Sequence, residues 1–450
     1  MKKKVLLAIV LVVVLLGAGL GYAYFATDAL KSDKQLFFSY LLSDDFTKDL
    51  KDTNLEKYVE KQTNTAFENK GKITFEAPDQ GSALDGLTIL NSTTIGVEGK
   101  TDTAKKLAEQ KFTVELSQGI NIPIQYKRDG ETYGIQTKLL SDKFIAIKNE
   151  DLKALADRFG MDTSNIPDNI TLSGLNFSDK EISQIKDKYS KVLYDNMTKD
   201  MFSKTKTKDQ TKVTMDVSAE QFINLIEKLA NALKEDKDLL NKLSAGTTVE
   251  DLKTQIDNFV DAIKETDTTD ADRVQIVLTI KSGELTECEI KTVTDDVAEI
   301  VAAVEKSDNK LVFYAYEDNE LVGQVSIEKF TNKDELSYIV GIKANSDGEE
   351  VANIQIEMSY KNLEKLDDVE ETITADIIYS DSSSTSSSTS SSTADGKTSI
   401  SVTYNNVVTF DSNLSIDAFN SNNAIIINDA TDKELQDLFL NVYKNFSGIQ

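Results

Sequence analysis

The sequence predicts an α+β protein: an N-terminal transmembrane helix, then curved antiparallel β-sheets in meander order covered by amphipathic helices. Three observations lead to it. Residues 5–26, VLLAIVLVVVLLGAGLGYAYFA, form an uninterrupted apolar run. Two long regions, 72–148 and 273–410, contain stretches in which apolar and polar residues alternate with the period of two that a pleated strand imposes. Around them, apolar residues recur at three- and four-residue spacing behind Ser or Thr caps.

The apolar run organises the chain. At about 1.5 Å rise per residue, its 22 residues are long enough to cross a hydrocarbon core of roughly 30 Å. Lys2, Lys3 and Lys4 precede it, which favours a cytoplasmic N-terminus and an extracytoplasmic body. A cleaved signal peptide is the other reading: Tyr24 is too large for the −3 position of a cut after Ala26, whereas Gly21 permits a cut after Ala23. No lipobox cysteine follows the run. The expected organisation is therefore a cytoplasmic tip at 1–4, an anchor at 5–26, a β-meander with a helical lid at 27–265, and a second antiparallel sheet at 266–450. That last region carries a disordered Ser/Thr loop at 381–396 and a C-terminal helix. Two units agree with length, since a single core rarely grows past roughly 250–300 residues.

After the anchor, Ser32-Asp-Lys-Gln35 reads as a capping box opening a helix with Leu36, Phe37, Tyr40 and Leu41 on one side. A second helical piece carries Leu55, Tyr58 and Val59. Strands are expected at 72–77, 88–98, 110–116, 120–127, 131–138 and 143–148, with Asp129-Gly130 as a hairpin of type I′. Asn149 opens a short helix with Leu152, Leu155 and Phe159 that Gly160 stops. Ser178-Asp-Lys-Glu181 begins a helix bearing Ile182, Ile185, Tyr189, Val192 and Leu193. Behind a strand at 212–217, Ser218-Ala-Glu-Gln221 opens a helix whose stripe runs from Phe222 through Leu225, Ile226, Leu229 and Leu233 to Leu240. Thr247-Thr-Val-Glu250 opens another, with Leu252, Ile256, Phe259, Val260 and Ile263.

From Asp272 the period of two returns. Val274, Ile276, Leu278 and Ile280 form one row, and Ser282-Gly283 turns the chain. Further strands are expected at 284–292, 310–316, 321–330, 336–344, 351–360, 372–379 and 397–410, while 295–306 fits either a short helix or an irregular strand. Clean alternation, as of Ile354, Ile356, Met358 and Tyr360 with Asn353, Gln355, Glu357 and Ser359, implies one wet and one covered face. Residues 382–393, SSSTSSSTSSST, have nothing to bury and read as a loop insertion between two strands of one sheet. Thr431-Asp-Lys-Glu434 caps a final helix with Leu435, Leu438, Phe439, Val442 and Phe446.

Composition removes whole classes of function. There are 76 acidic and 50 basic residues, a formal charge of −26, which repels nucleic acid and anionic surfaces. Nucleic-acid partners are therefore excluded. The absence of His removes Ser-His-Asp and Cys-His catalysis and imidazole-bound zinc. Cys288 stands alone, on the expected strand face with Thr286 and Ile290, as a buried inert thiol. Asp267, Asp270 and Asp272 lack the spacing of a calcium hand. Asp367, Asp368, Glu370 and Glu371 read as a solvated charge run, and no carboxylate pair lies in a sugar-binding setting. There is no Gly-rich phosphate loop. Neither an enzymatic activity nor a cofactor is expected.

The run from Tyr189 through Leu243, with YSKVLYDNMTKDMFSK at its start and TKVTMDVSAEQFINLIEKLANALKEDKDLLNKL at its end, resembles uncharacterised membrane-anchored proteins of Gram-positive bacteria. So does the passage from the anchor into Ser32-Asp-Lys-Gln-Leu-Phe-Phe-Ser-Tyr40. The order of strands, amphipathic helices and strands is similar to that of the periplasmic lipoprotein-carrier family and of mycobacterial lipid-binding lipoproteins. That resemblance implies an open, strongly curved antiparallel sheet with helices on its concave side and an apolar cleft. It carries no functional residue with it.

Two functions of different kinds follow. The first binds an apolar ligand, a lipid or acyl chain, between sheet and helices, in a cleft lined by Ile185, Tyr189, Leu225, Leu229, Ile256 and Phe259 opposite Val274, Ile276, Ile354 and Ile356. The second is a structural or interaction protein of the cell envelope, with a filled core and an envelope protein as partner. In both, the membrane is reached through the N-terminal helix, in a single-pass protein with its body outside.

Overall fold

The computed structural model describes residues 31–77, 90–91, 93–116, 119–150, 152–161, 179–243, 248–265, 272–346, 348–380 and 397–447. The expected anchor at 5–26, the helix start at Ser178 and the Ser/Thr tract at 382–393 lie outside them. In chain order the helices and strands are α1 (Asp33–Leu41), α2 (Thr53–Asn64), β1 (Phe67–Glu76), β2 (Thr94–Asp102), β3 (Leu107–Leu116), β4 (Ile120–Asp129), β5 (Thr132–Thr137), β6 (Ser141–Lys148), α3 (Leu152–Arg158) and α4 (Asp179–Asn196). Then come β7 (Phe202–Lys206), β8 (Thr211–Ser218), α5 (Ala219–Glu235), α6 (Lys237–Leu243), α7 (Val249–Lys264), β9 (Arg273–Lys281), β10 (Glu284–Thr294), β11 (Val297–Ser307), β12 (Lys310–Glu317) and β13 (Glu320–Asn332). The chain closes with β14 (Glu335–Ser346), β15 (Glu349–Lys361), β16 (Val369–Ser380), β17 (Lys397–Phe410), β18 (Ala424–Ile426) and α8 (Asp432–Ser447).

These elements fall into two compact units. The first comprises Met1–Lys51, Thr171–Glu328 and Gly341–Glu350; the second comprises Asp52–Ile170, Lys329–Val340 and Val351–Gln450. The division does not follow a single cut at 265/266, because the chain enters each unit more than once.

In the first unit β7 to β13 pair antiparallel in sequence order. Tight hairpins set that order. Ser282 and Gly283 (φ 53° and 84°), Asp295 and Asp296 (50° and 60°), and Asp318 and Asn319 (52° and 66°) all take the positive φ that type I′ turns require. The Asp295-Asp296 turn makes 297–307 a strand. Its register is bulged between Ile290 and Lys291 of the partner, and this irregularity is what blurs its period in the sequence. Val274, Ile276, Leu278 and Ile280 are buried as expected, but so are Val277 and Thr279, so β9 is covered on both faces. Cys288 is buried among these strands, and burial pushes its thiol up to about 12.

Two helices of this unit begin where their caps predict. Ser32 and Gln35 form the capping box of α1, and Ser218 and Gln221 that of α5. α7 is capped by Thr248, one residue later than expected: its hydroxyl accepts from the Asp251 N–H at 3.0 Å, and the Asp251 carboxylate accepts from the Thr248 N–H at 3.4 Å. The stripe from Phe222 to Leu240 belongs to two helices rather than one. Asp236 breaks it: its carboxylate accepts from the Leu239 N–H at 3.2 Å and from Lys188 at 2.8 Å, which starts α6 and ties it to α4. Burial opposes the charge on Asp236, but Lys188, the Leu239 N–H and Tyr189 together hold its pKa below the usual carboxylate value. α1 is also held through its first turn, where the buried Lys34 ammonium donates to the carbonyls of Tyr194 (2.6 Å) and Met197 (2.7 Å) around the C-terminus of α4.

In the second unit the registers run β15-β16-β17-β1-β2-β3-β4-β5-β6-β18, antiparallel except for the last step, where β18 lies parallel to β6. Asp129 pairs with Thr132, so the β4–β5 loop is Gly130-Glu131, and of these only Gly130 has positive φ (60°). One face is wet, with Lys70 opposite Glu98 (3.2 Å) and Lys100 opposite Glu68 (3.7 Å). Over β4 to β6 that face is covered by the segment before β18. There Phe419 stacks edge-on against Phe144 at 5.7 Å, and its N–H donates to Asp129 at 2.9 Å.

The expected architecture of an N-terminal transmembrane helix followed by antiparallel sheets covered by helices is thus corrected. Among the described residues no helix is long and apolar enough to cross a membrane, the 18 strands dominate eight α-helices, and the pairing is mixed. In the first unit the helices pack on β7 to β10. A helix about 10 Å wide spans roughly two strands at about 4.8 Å spacing, so the wide ladder of the second unit outruns α2, α3 and α8.

Ser380 and Lys397 stand opposite each other at the end of the β16–β17 ladder, so residues 382–393 join paired strand ends. Loop entropy varies only logarithmically with length, and deleting 382–393 is expected to shift the free energy of unfolding by about 1 kcal/mol or less. Denaturant unfolding of the deletion variant measures it; a loss of several kcal/mol would show that the tract contributes packing.

Candidate functional site

The residues expected to line a cleft lie mostly in the packed interior of the first unit. Tyr189, Leu225 and Leu229 are buried in its core cluster, Ile185 and Phe259 pack against that cluster half-buried, and Ile256 is half-buried on α7. Val274 and Ile276 belong to the same cluster. Ile354 and Ile356 do not join them, being half-buried in the second unit. The void left between α1, α4, α5 and the strands, lined by Phe37, Phe38, Leu193, Met215 and Leu225 among others, is about 20 Å³. That is room for one water, whereas small-molecule sites run to roughly 300 Å³ and more. The space between helices and sheet is therefore filled by side chains.

The second unit presents a different surface. Residues opposite each other in antiparallel strands project to the same face, so the registers define rows across it. One row reads Met358, Ile373, Tyr404, Ile73, Ile95, Val114 and Ile122 across seven strands. The next reads Ile356, Ala375, Val402 and Phe75, and the one beyond it Ile354, Ile377 and Ile400. All are apolar and none is buried; Ile377 is 40% exposed.

This face is closed at one end by α2. Tyr58 is 1% exposed, with its ring edge-on to Tyr360 (6.3 Å) and Phe410 (5.9 Å). Its hydroxyl donates to Glu371 Oε1 at 2.7 Å and accepts from Gln62 Nε2 at 2.9 Å, while Asn406 Nδ2 donates to Glu371 Oε2 at 2.8 Å. Burial, reinforced by the Glu371 carboxylate, raises the pKa of Tyr58 far above that of a free phenol. Asp367, Asp368 and Glu370 are exposed, as expected of a solvated run, but Glu371 belongs to this network. Beside it, Gln110 Nε2 donates to Asn69 (3.0 Å) and Thr101 (3.1 Å), and its amide lies flat on Gly99, where an added Cβ would fall 2.0 Å from Gln110 Oε1.

The site is thus an aliphatic surface bounded on one side by a polar, aromatic wall. Sequence reasoning found its rows strand by strand but assigned them helical cover. The signal available was the small number of amphipathic helices flanking 67–148 and 351–410. No group of three or more carboxylates or thiols suited to a metal occurs among the described residues; Asp267 and Asp270 lie outside them.

Two substitutions test the packed core of the first unit and the wall of the second. Leu229→Ala is expected to cost about 2–5 kcal/mol, the cost of a cavity in close-packed core. Tyr58→Phe removes a donor from Glu371 and is expected to cost about 1.5–3 kcal/mol. Denaturant midpoints measure both; an unchanged midpoint for Tyr58→Phe would mean that α2 is not held through Glu371.

No family model matches the chain, and no curated protein matches it. Among solved structures, it is similar to a Transferrin Binding Protein B (TbpB) mutant from Haemophilus parasuis Hp5 at 7% identity, over 76% of this chain and 75% of that one, with a TM-score of 0.13. It is also similar to an anion-selective porin from Comamonas acidovorans at 9% identity, over 77% of this chain and 98% of that one, with a TM-score of 0.11. Scores of this size carry no argument about the fold or the function of this chain.

Proposed function

We propose that this chain is a membrane-anchored extracytoplasmic protein that holds an acyl chain or similar apolar ligand on the open face of its second unit. The observation that carries the reading is the set of three apolar rows from β15 to β4, none of whose members is buried. An apolar surface of this extent is rarely left to water, and Tyr404 is the one residue of its three rows with a polar side-chain group. The 22-residue apolar run and its preceding lysines supply the link to a membrane, where acyl chains are available. This moves the expected ligand site from the α4, α5 and α7 helices to the sheet.

A second reading, a structural or interaction protein of the envelope, draws on α8. Phe439 (58% exposed), Leu440 (50%) and Tyr443 (73%) face outward there, with Phe159, just past the end of α3, edge-on to Phe439 at 6.5 Å. This is an apolar patch suited to a protein partner.

A photoreactive fatty acid in bilayers containing the full chain distinguishes the two. Adducts are expected on peptides containing Ile73, Ile95 and Val114, and Ile95→Asp is expected to abolish them while leaving adducts within 5–26. Adducts confined to 5–26 in the unsubstituted protein would sink the acyl-chain reading and favour the protein partner.

A further inference from the structure

The β7–β8 hairpin is a basic element in an acidic protein. Residues 199–212 hold five lysines and two aspartates, in a chain of formal charge −26. Lys204 and Lys206 occupy alternate positions of β7 and so share the face on which Phe202 is buried. With Lys208 of the turn they border a pocket of about 350 Å³. Its apolar floor is Leu36 and Tyr40 of α1 and Ile280 of β9, all buried.

The charges around this pocket are unequal. Lys204 pairs with Asp33 at 3.4 Å, and Asp209 lies on the rim. Lys206 and Lys208 are exposed. Ammonium groups on one rim repel each other, and an anion seated among them relieves that repulsion. Lysine serves phosphate as a mobile point charge, and this volume suits an organic headgroup rather than a bare ion. The apolar floor suits the carbon skeleton attached to such a phosphate.

Position in the chain identifies the source. Six residues separate the end of the apolar run at Ala26 from the first residue of α1 at Asp33. Whatever their path, they span no more than about 25 Å at roughly 3.6 Å per residue. The wall of the pocket formed by Leu36 and Tyr40 is therefore tied close to the point where the anchor would leave the bilayer.

We propose that the Lys204, Lys206 and Lys208 pocket binds the phosphodiester of an anionic phospholipid in the membrane that anchors the chain, seating the first unit on the bilayer surface. The proposal rests on residues 5–26 as the anchor and is independent of the apolar face of the second unit. The overall negative charge sets a general repulsion from such a surface, and the pocket supplies the local exception.

The test is amine acylation read by mass spectrometry, with the full chain in nanodiscs of phosphatidylcholine alone or with phosphatidylglycerol. Co-migration of chain and disc reports the anchor separately, and the exposed Lys111 is the control. Phosphatidylglycerol is expected to slow acylation of Lys206 and Lys208 by about 5-fold, the effect of one basic residue at an anionic surface, and to leave Lys111 unchanged. In a K206Q/K208Q variant the protection of Lys204 is expected to disappear. Equal acylation in both discs, with the chain co-migrating, would overturn the proposal. Protection by inorganic phosphate in phosphatidylcholine discs, with none added by phosphatidylglycerol, would assign the pocket to free phosphate and overturn the lipid assignment.

Discussion

The constraint on which this fold turns is the balance between apolar sheet surface and the helices able to cover it. Every strand with a period-two pattern contributes a row that water disfavours, at about 25 cal/mol per Å² left exposed. In the first unit α1 packs on β7 to β10 and α5 on β8 and β9, with α4 and α7 against α5. Phe37, Phe38, Phe202 and Tyr194 interlock there, with centroids 5.2–6.0 Å apart. The result is a close-packed interior with a residual void of about 20 Å³. In the second unit the same kind of strand is produced in greater number and with fewer helices, and apolar rows remain half-buried.

Polar side chains decide where the helices sit. Lys34 reaches the carbonyls at the end of α4, Asp236 joins α4 to α6, and Tyr58 fixes α2 through Glu371. Each uses a charged group in a hydrogen bond at a partly buried place, stronger than a neutral bond and costly to leave unmade. Apolar packing alone tolerates sliding of a helix along a row of aliphatic side chains. These contacts remove that freedom, and at α2 they also mark where the open face ends.

Charge is used differently in the two units. The wet face of the second unit carries exposed cross-strand pairs such as Lys70 with Glu98, which contribute little to stability. The basic hairpin of the first unit has a different consequence, because its lysines border a pocket with an apolar floor instead of facing carboxylates across a ladder. Alternating lysines at 204, 206 and 208 are visible in the sequence, but nothing local says that Leu36, Tyr40 and Ile280 complete a pocket with them.

What the sequence by itself determined is local. The capping boxes at Ser32, Ser218 and Thr431, the hairpin at Ser282-Gly283 and the alternation of β1 to β6, β9, β10 and β12 to β17 follow from hydrogen bonds and side-chain periods spanning a few residues. So does the burial of Cys288. Only the tertiary structure decided the rest. The pairing of β1 with β17 brings Ile73 beside Tyr404, more than three hundred residues away, and so builds the apolar rows of the second unit. The break of the Phe222–Leu240 stripe at Asp236 depends on Lys188, and the place of Glu371 in a network depends on Tyr58. A period-two pattern says that a strand has an apolar side; which strands adjoin it, and whether any helix is left to cover that side, is set by contacts between residues distant in sequence.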